Sequence, residues 1–247
     1  MIVKDEEKFL PQCLDSIKDV VDEMIIVDTG STDRTVEIAE SYGAKVYHHP
    51  WQGSFSEARN HSLKYATCEW ILQIDADEEL EAKDVPILYA ALKHEEYSSI
   101  FVALLSQMPD GISKNYFQRI YRNGKAHYEG IVHNQLICKG NALITEIRFH
   151  HYGYNLNPEQ MKKKHKRTEA LLKKQIAENP EFMFGWSNLV RIYRCQNLWD
   201  DAVKTAAEAL KLDMGKDHPV PHQMILCDMT YSLLMKQEYE RAIEICT

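Results

Sequence analysis

The chain has 247 residues, of which 45% are hydrophobic and 27% charged, so it can bury one large core or two ordinary ones. Its formal net charge of -8 argues against nucleic acid as the main partner, because binding a phosphate backbone normally needs a basic surface. Six scattered cysteines without a C-x-x-C pair indicate reduced thiols rather than a zinc site or a disulfide framework. The lack of an apolar signal segment and of eighteen uninterrupted apolar residues predicts a cytoplasmic protein without a transmembrane helix.

Strands and helices alternate through the first fifty residues. A short strand at residues 2–3 precedes a helix with apolar residues at helical spacing, and a second strand at 24–27 is followed by a turn containing Gly30. A further helix leads to a third strand at 45–48. This spacing predicts βαβ units and a parallel sheet.

An apolar run at residues 70–74 ends in the acids Asp75, Asp77, Glu78 and Glu79. We expect a buried strand of the same sheet, with Asp28 and the two aspartates meeting at the carboxyl edge where open α/β sheets bind ligands. In a strand, Asp75 and Asp77 point the same way, and two carboxylates on one face suit Mg²⁺ or Mn²⁺. For a D-x-D motif taken alone, an inert acidic turn is the alternative.

The middle of the chain reads as a helix at residues 84–92 followed by strands near 99–105, 116–122 and 143–149. The last of these is followed by the adjacent residues His150 and His151. Neighbours in a strand point to opposite faces, so only one of them could face a site at this sheet edge.

From residue 157 the pattern becomes helical. A basic run at 161–167 is typical of a solvated helix face. Trp186, Leu189 and Tyr193 have the spacing of a tetratricopeptide first helix, and residues 199–202 are matched by 239–242 at an offset of 242 − 202 = 40. This offset exceeds the usual period of about 34, so we expect an insertion at 215–222. The prediction is an α/β domain over 1–155 and an all-α tetratricopeptide-like segment over 156–247.

Four ordered motifs carry a resemblance to a known family. They are K-D-E-E at 4–7, I-I-V-D-T-G-S-T-D-R-T at 25–35, F-S-E-A-R-N at 55–60 and W-I-L-Q-I-D-A-D-E-E at 70–79. In this order they resemble the first 150 residues or so of family 2 glycosyltransferases. The resemblance implies a GT-A fold, which is Rossmann-like with a mostly parallel sheet. It also implies an inverting transfer of a sugar from a nucleotide-sugar, foremost a UDP-sugar, to an acceptor.

The same resemblance implies roles for individual residues. Asp28 would read the uracil or ribose, Asp75 would face the ribose, and Asp77 would bind Mn²⁺ or Mg²⁺ at the diphosphate. Arg59 matches the family's basic residue near the nucleotide, with a surface ion pair as the alternative. Asp5, Thr29 and Gly30 complete the expected nucleotide-sugar-binding set, although turn chemistry explains Thr29 and Gly30 equally well.

Residues 128–134 resemble the segment that closes the acceptor side in these transferases. An inverting transfer needs one general base, and Glu129 is the first candidate, with Glu78 and Glu79 as rivals. His133 is a candidate third metal ligand, because imidazole suits Mn²⁺ better than Mg²⁺, and a hydrogen-bonding residue of a turn is the alternative. Asn134 departs from the pattern, since relatives often have an acid there, and this leaves the base open.

The helical repeats indicate which binding partners the protein could have. Tetratricopeptide-like repeats in similar proteins bind peptides, which points to a protein or peptide acceptor, while stabilisation of the first domain or a homo-oligomer is equally compatible. Two other classes remain open from the sequence. One is a nucleotidyltransferase, which usually has a glycine-rich phosphate loop where this chain has Lys4-Asp5-Glu6-Glu7. The other is a non-catalytic scaffold that binds a nucleotide or a partner without turnover.

Overall fold

The computed structural model describes residues 1–108, 111–153, 158–212 and 218–246. The strands are β1 (Ile2–Val3), β2 (Ile25–Asp28), β3 (Lys45–His48), β4 (Trp70–Leu72), β5 (Glu78–Leu80), β6 (Tyr97–Met108), β7 (Gly111–Arg122), β8 (Ala126–Glu129), β9 (Gln135–Cys138) and β10 (Asn141–His151). The helices are α1 (Leu10–Ile17), α2 (Thr35–Ser41), α3 (Phe55–Leu63), α4 (Val85–Leu92), α5 (Pro158–Glu178), α6 (Met183–Cys195), α7 (Trp199–Leu210), α8 (Pro219–Met235) and α9 (Tyr239–Cys246).

The chain divides into two compact units. The first comprises Met1–Glu129 and Asn134–Asn157, and the second comprises Gly130–His133 and Pro158–Thr247. The domain boundary predicted between residues 155 and 156 lies outside the described residues.

Two main sheets build the first unit. β1, β2 and β3 form a parallel sheet in that order, in which Asp28 is paired with Val3 on one side and His48 on the other. The second sheet is mixed, with the order β4-β7-β6-β10-β5, and β8 pairs with β9 separately. The parallel sheet is thus confirmed for the first three strands. The expectation that residues 70–74 join the same sheet is wrong, because β4 pairs antiparallel with β7 instead.

One hydrophobic core nevertheless unites both sheets. Ile26 from the parallel sheet and Ile100 and Ile120 from the mixed sheet are each at most 1% exposed and belong to one cluster with Leu10 and Leu14 of α1. Full burial of a Leu or Ile side chain contributes roughly 1.5–3 kcal/mol. This shared core fixes the carboxyl end of β2 and the segment after β4 in a single rigid frame.

The acidic segment does not lie in a strand. β4 ends at Leu72, and the N–H of Glu78 donates to the carbonyl of Asp75 at 3.0 Å, which makes a turn before β5. The expected strand alternation through Asp75 and Asp77 is therefore wrong as a strand pattern. Ile74 and Ala76 are still buried, so the two aspartates are the partly exposed members of the segment.

The second unit is helical. α7 opens at Trp199 and α9 at Tyr239, as the repeat pattern predicts. Pro219 opens α8, where its missing N–H costs nothing. Residues 215–217 of the expected insertion lie outside the described part, and the insertion stays a prediction. Buried Asp228 on α8 accepts from Arg191 Nε at 3.1 Å and forms an ion pair with Arg194 Nε at 3.0 Å, both on α6.

The predicted architecture, an α/β domain followed by an all-α segment, is confirmed. Within the described ranges, no helix has both the length and the apolar character needed to cross a membrane.

Candidate functional site

Asp28 stands at the end of β2, buried and held by a turn. Its carboxylate accepts from the N–H groups of Gly30 at 3.2 Å and Ser31 at 3.0 Å, and His48 Nδ1 lies 3.4 Å away. Gly30 has a φ of 111°, a conformation that favours glycine. Burial opposes the charged form, but hydrogen bonds from Ser31 and the turn amides outweigh it and lower the pKa of Asp28. The result is a fixed, charged carboxylate.

The loop after β1 is joined to this turn. Asp5 has a φ of 54°, a left-handed conformation that is uncommon outside glycine. This directs its N–H to Ser31 Oγ at 3.0 Å, while its carboxylate accepts from the Thr32 N–H at 2.7 Å. Thr29 is buried, and its hydroxyl donates to the Val3 carbonyl at 3.0 Å. The contact seen for the Thr29 side chain is therefore structural.

Glu6 links the loop to the acidic segment. Burial is the largest cause that raises its pKa to about 7, and the charges of Asp77, Asp75, Asp33 and Asp5 add to it. Glu6 and these four aspartates, called the acidic cluster below, thus bring the ends of β1, β2 and β4 around one region. Sequence reasoning missed Glu6, because its position beside Asp5 does not show that the charges of four aspartates act on it.

Asp75 is held by two arginines. Arg59 Nη2 lies 2.8 Å from its Oδ1 and Arg119 Nη2 lies 3.2 Å from its Oδ2, while Gln73 Nε2 donates to Oδ1 at 3.0 Å. Burial alone would raise the pKa of Asp75, but Arg59 and then Arg119 hold it well below its usual range. Among the described residues, neither arginine has a partner for its buried Nε. Arg119 was missed because it sits in the alternating pattern of β7, where a charge reads as a surface residue.

The two glutamates next in sequence have different surroundings. Glu78 is buried, forms an ion pair with Arg119 and accepts from the Asp75 N–H at 3.0 Å. Burial raises its pKa to about 7, against the opposing charge of Arg119. Glu79 accepts from Gln12 Nε2 at 2.5 Å and from the Tyr152 hydroxyl at 2.7 Å. Glu78 is thus a framework residue, whereas Glu79 stays partly exposed.

Asp77 faces a histidine. Its Oδ2 lies 3.3 Å from His151 Nε2, and Ser106 Oγ lies 3.2 Å from His151 Nδ1, so the ring presents Nε2 to the carboxylate. His150 instead lies against Glu81, with Nε2 3.4 Å from Oε2. The sequence left open which of the two histidines faces this edge, and the structure assigns His151. The signal in the sequence was the adjacency of the two histidines at the end of β10, because neighbours in a strand point to opposite faces.

The space beside Asp77 and His151 depends on Gly153. A Cβ at this position would lie 1.9 Å from Asp77 Oδ2 and 2.8 Å from His151 Nε2. A carboxylate oxygen and an imidazole nitrogen at this separation can ligate one divalent cation, which takes waters and phosphate oxygens for its other positions. Ser106 supplies the outer partner that usually orients a ligating histidine. The residues present therefore fit a Mn²⁺-type cation.

Each residue of the E-A-R-N sequence in α3, residues 57–60, has a defined place in the structure. Glu57 approaches His49, Ala58 is 1% exposed, and Arg59 meets Asp75. Asn60 takes both backbone groups of Tyr128, accepting from its N–H and donating to its carbonyl at 2.8 Å each. α3 thus anchors both the Asp75 network and strand β8, which ends at Glu129.

Two predicted site residues have contacts other than those described above. Glu129 is half exposed and paired with His127, whose Nε2 lies 2.8 Å from Oε1. His133 belongs to the second unit, where burial and then the charges of Lys164 and Arg191 lower its pKa. Its φ of 49° is left-handed. The catalytic and metal-binding roles expected for Glu129 and His133 stay predictions. The same holds for the binding roles expected for Asp5, Asp28, Thr29, Gly30, Arg59, Asp75 and Asp77.

Curated relatives cover most of the chain. The chain is 34% identical over 235 residues to a TPR repeat-containing protein of Synechococcus elongatus, a match that spans 90% of this chain and 57% of the relative. It is 28% identical over 269 residues to the SPbeta prophage-derived glycosyltransferase SunS of Bacillus subtilis, spanning 99% of this chain and 64% of SunS. The chain therefore spans less than two thirds of the length of either relative.

A solved structure and a family model bear on the fold and the family. The fold is similar to that of S. aureus TarS 1-349 in complex with UDP-GlcNAc, with a TM-score of 0.53 and 13% identity over 97% of this chain and 90% of that one. A family model described as glycosyl transferase family 2 matches residues 1–176, more than two thirds of the sequence. With the D-x-D segment, the β2 turn and the α3 motif arranged around one acidic region, the chain belongs to glycosyl transferase family 2.

Proposed function

We propose that this protein transfers a sugar from a nucleotide-sugar, foremost a UDP-sugar, to an acceptor with inversion at the anomeric carbon. The observation that carries the proposal is the Asp77–His151 pair beside Gly153, at the edge of an acidic cluster in a chain of glycosyl transferase family 2. TarS, which shares the fold, is in complex with UDP-GlcNAc.

Electrostatics favour a metal-dependent donor site. The acidic cluster gathers five carboxyl groups, and a diphosphate brought among them without a cation meets like charge. Asp77 and His151 would hold Mn²⁺ or Mg²⁺, with Mn²⁺ preferred because imidazole is a ligand. When bound, the cation supplies neutralisation of the charge that develops on the leaving nucleoside diphosphate.

The remaining residues of the site would bind and orient the nucleotide-sugar. Asp28 is a rigid acceptor for a ring N–H or a ribose hydroxyl, because its turn holds it charged. Asp5 connects the loop after β1 to that turn through a hydrogen bond with Ser31. Arg59 and Arg119 keep Asp75 ionised and hold its carboxylate in place. We assign the nucleotide to this side of the acidic cluster.

Glu129 is our proposed general base, and Glu79 is the alternative. Glu78 is less suited, since it is buried and ion-paired with Arg119. Asn60 fixes β8 through Tyr128 and so holds the strand that carries Glu129. Loss of one positioned base typically costs 10²–10⁴-fold in rate, so Glu129→Gln and Glu79→Gln compared in a transfer assay identify it. The variant that loses kcat with unchanged UDP binding has lost the base.

The acceptor is proposed to be a protein or peptide. The second unit contains two helix pairs, α6 with α7 and α8 with α9, of the kind that binds peptides in tetratricopeptide arrays. The Synechococcus relative is named for its TPR repeats. Transfer to peptide pools, with product anomers read by NMR, tests both the acceptor class and inversion.

The donor site is tested by calorimetric titration with UDP, GDP and TDP, each with and without Mn²⁺. We expect UDP binding that requires Mn²⁺ and is lost in Asp77→Asn and His151→Ala. His150→Ala is the matched control, because this neighbouring histidine faces Glu81 and should leave binding unchanged. Metal-independent binding, or equal effects of the two histidine substitutions, would overturn the assignment of Asp77 and His151.

A further inference from the structure

A second group of possible metal ligands lies outside the donor site. His49 follows β3, while Glu57 and His61 are one turn apart on α3. His49 Nε2 is 2.8 and 2.9 Å from the two oxygens of Glu57, and the rings of His49 and His61 stack with centroids 3.9 Å apart. One ligand atom from each residue lies within 4.8 Å of the others. We call these three residues the His49 cluster.

The geometry of the His49 cluster follows from its elements. Residues i and i+4 share one face of a helix, so Glu57 and His61 present their side chains side by side. Strand β3 and the loop after it bring His49 over that face. The Tyr65 hydroxyl lies 3.0 Å from His61 Nε2 and orients the ring as an outer partner. Glu57 is 44% exposed, so solvent and ions reach the cluster.

The chemistry of the three donor groups indicates which class of metal the His49 cluster would bind. Two imidazoles and one carboxylate make a three-ligand set with an open position, which is a zinc-type set rather than the oxygen-rich set that Mg²⁺ or Ca²⁺ takes.

We propose that His49, Glu57 and His61 form a second cation site, selective for Zn²⁺ or a similar borderline metal and distinct from the Asp77–His151 pair. The site would brace the donor side of the first unit. The His49 N–H donates to the Asp28 carbonyl at 2.8 Å, and α3 carries Arg59 and Asn60. A cation here ties the end of β3 to α3. The proposal stands independently of the proposed transfer reaction.

The test is calorimetric titration of the full chain with ZnCl₂ in the Asp77→Asn background, which removes the other cation site. We expect one Zn²⁺ per chain, with affinity reduced at least tenfold by Glu57→Gln and by His61→Gln. His94→Gln is the matched control, since His94 Nδ1 lies 3.2 Å from Glu96 in an exposed pair outside the cluster. Thermal unfolding shows whether each variant folds. If His61→Gln does not fold, the affinity of Glu57→Gln alone decides the test, because Glu57 is exposed.

A second readout separates the cluster from the exposed thiols of Cys195, Cys227 and Cys246. Co²⁺ bound in place of Zn²⁺ should show no thiolate-to-metal charge-transfer absorption, because the three proposed ligands contain no sulfur. Zn²⁺ binding that survives Glu57→Gln and His61→Gln, a thiolate spectrum, or no Zn²⁺ binding would overturn the proposal. In the last case His49 and Glu57 form only an ion pair.

Discussion

Gly153→Ala tests the Asp77–His151 site without removing a ligand. The added Cβ would lie 1.9 Å from Asp77 Oδ2, whereas ordinary contacts begin near 3.4 Å, so the carboxylate must retreat by about 3.4 − 1.9 = 1.5 Å. Asp77 Oδ2 is the end of a flexible side chain and can move. The cost therefore falls on the geometry of the proposed metal site, and the fold should survive.

The size of the effect follows from that displacement. A misplacement of about 1 Å in a positioned group costs roughly 10²-fold in rate, and loss of support around a ligand lowers metal affinity about 10–100-fold. We therefore expect Mn²⁺ affinity in the presence of UDP to fall by ~10–100-fold in Gly153→Ala. In barrier terms, 10²-fold corresponds to about 2.7 kcal/mol.

The assay is the free Mn²⁺ signal in electron paramagnetic resonance, titrated with protein and UDP, together with thermal unfolding of the metal-free chain. Gly185→Ala in α6 is the matched glycine control, because its Cβ would meet only Phe182 at 3.3 Å and other second-unit atoms further away. Mn²⁺ affinity in Gly153→Ala within twofold of wild type would refute the assignment of Asp77 and His151 to one cation.

Three further substitutions probe the charges of the structure. Arg119→Met leaves buried Glu78 and Asp75 without this cation, so we expect a loss of about 3 kcal/mol in urea unfolding, and a loss below about 1 kcal/mol would contradict the network. Glu6 has a pKa raised from 4.5 to about 7, so its contribution to stability falls as the pH rises through that window. Glu6→Gln should gain stability relative to wild type from pH 5 to pH 8, and a pH-independent difference would show that this carboxyl does not titrate as inferred. Asp228→Ala leaves Arg191 and Arg194 unpaired and should cost about 1–3 kcal/mol in the second unit; an unchanged denaturation midpoint would contradict this.

Elements with strong local patterns could be predicted from the sequence. β3 is found at the predicted residues 45–48, and α7 and α9 open at Trp199 and Tyr239 as expected from the repeat. In each case the signal is local, a run of apolar residues or a repeated spacing. Local signals do not give strand order, and the error for β4 arose there, because pairing with β7 depends on residues some fifty positions away.

The partners of the site residues were the part that could not be predicted. Asp75 meets Arg119, 119 − 75 = 44 residues later in the chain, and Asp77 meets His151, 151 − 77 = 74 residues later. The D-x-D motif predicts carboxylates at an edge, but not which cation each receives. His151 was within reach, since one of two adjacent histidines had to face the edge, whereas nothing in the periodicity of β7 indicated Arg119.

The two aspartates of the motif are therefore not equivalent. Arg59 and Arg119 surround Asp75 and hold its pKa well below its usual range, so its negative charge is already balanced within the protein. Asp77 lies against His151 and so close to Gly153 that an added Cβ would lie 1.9 Å from its Oδ2. A cation that binds at this edge gains more from Asp77 than from Asp75, because the arginines offset the attraction of the latter. On this reasoning Asp75 positions the segment and the arginines, while Asp77 supplies the carboxylate for the metal.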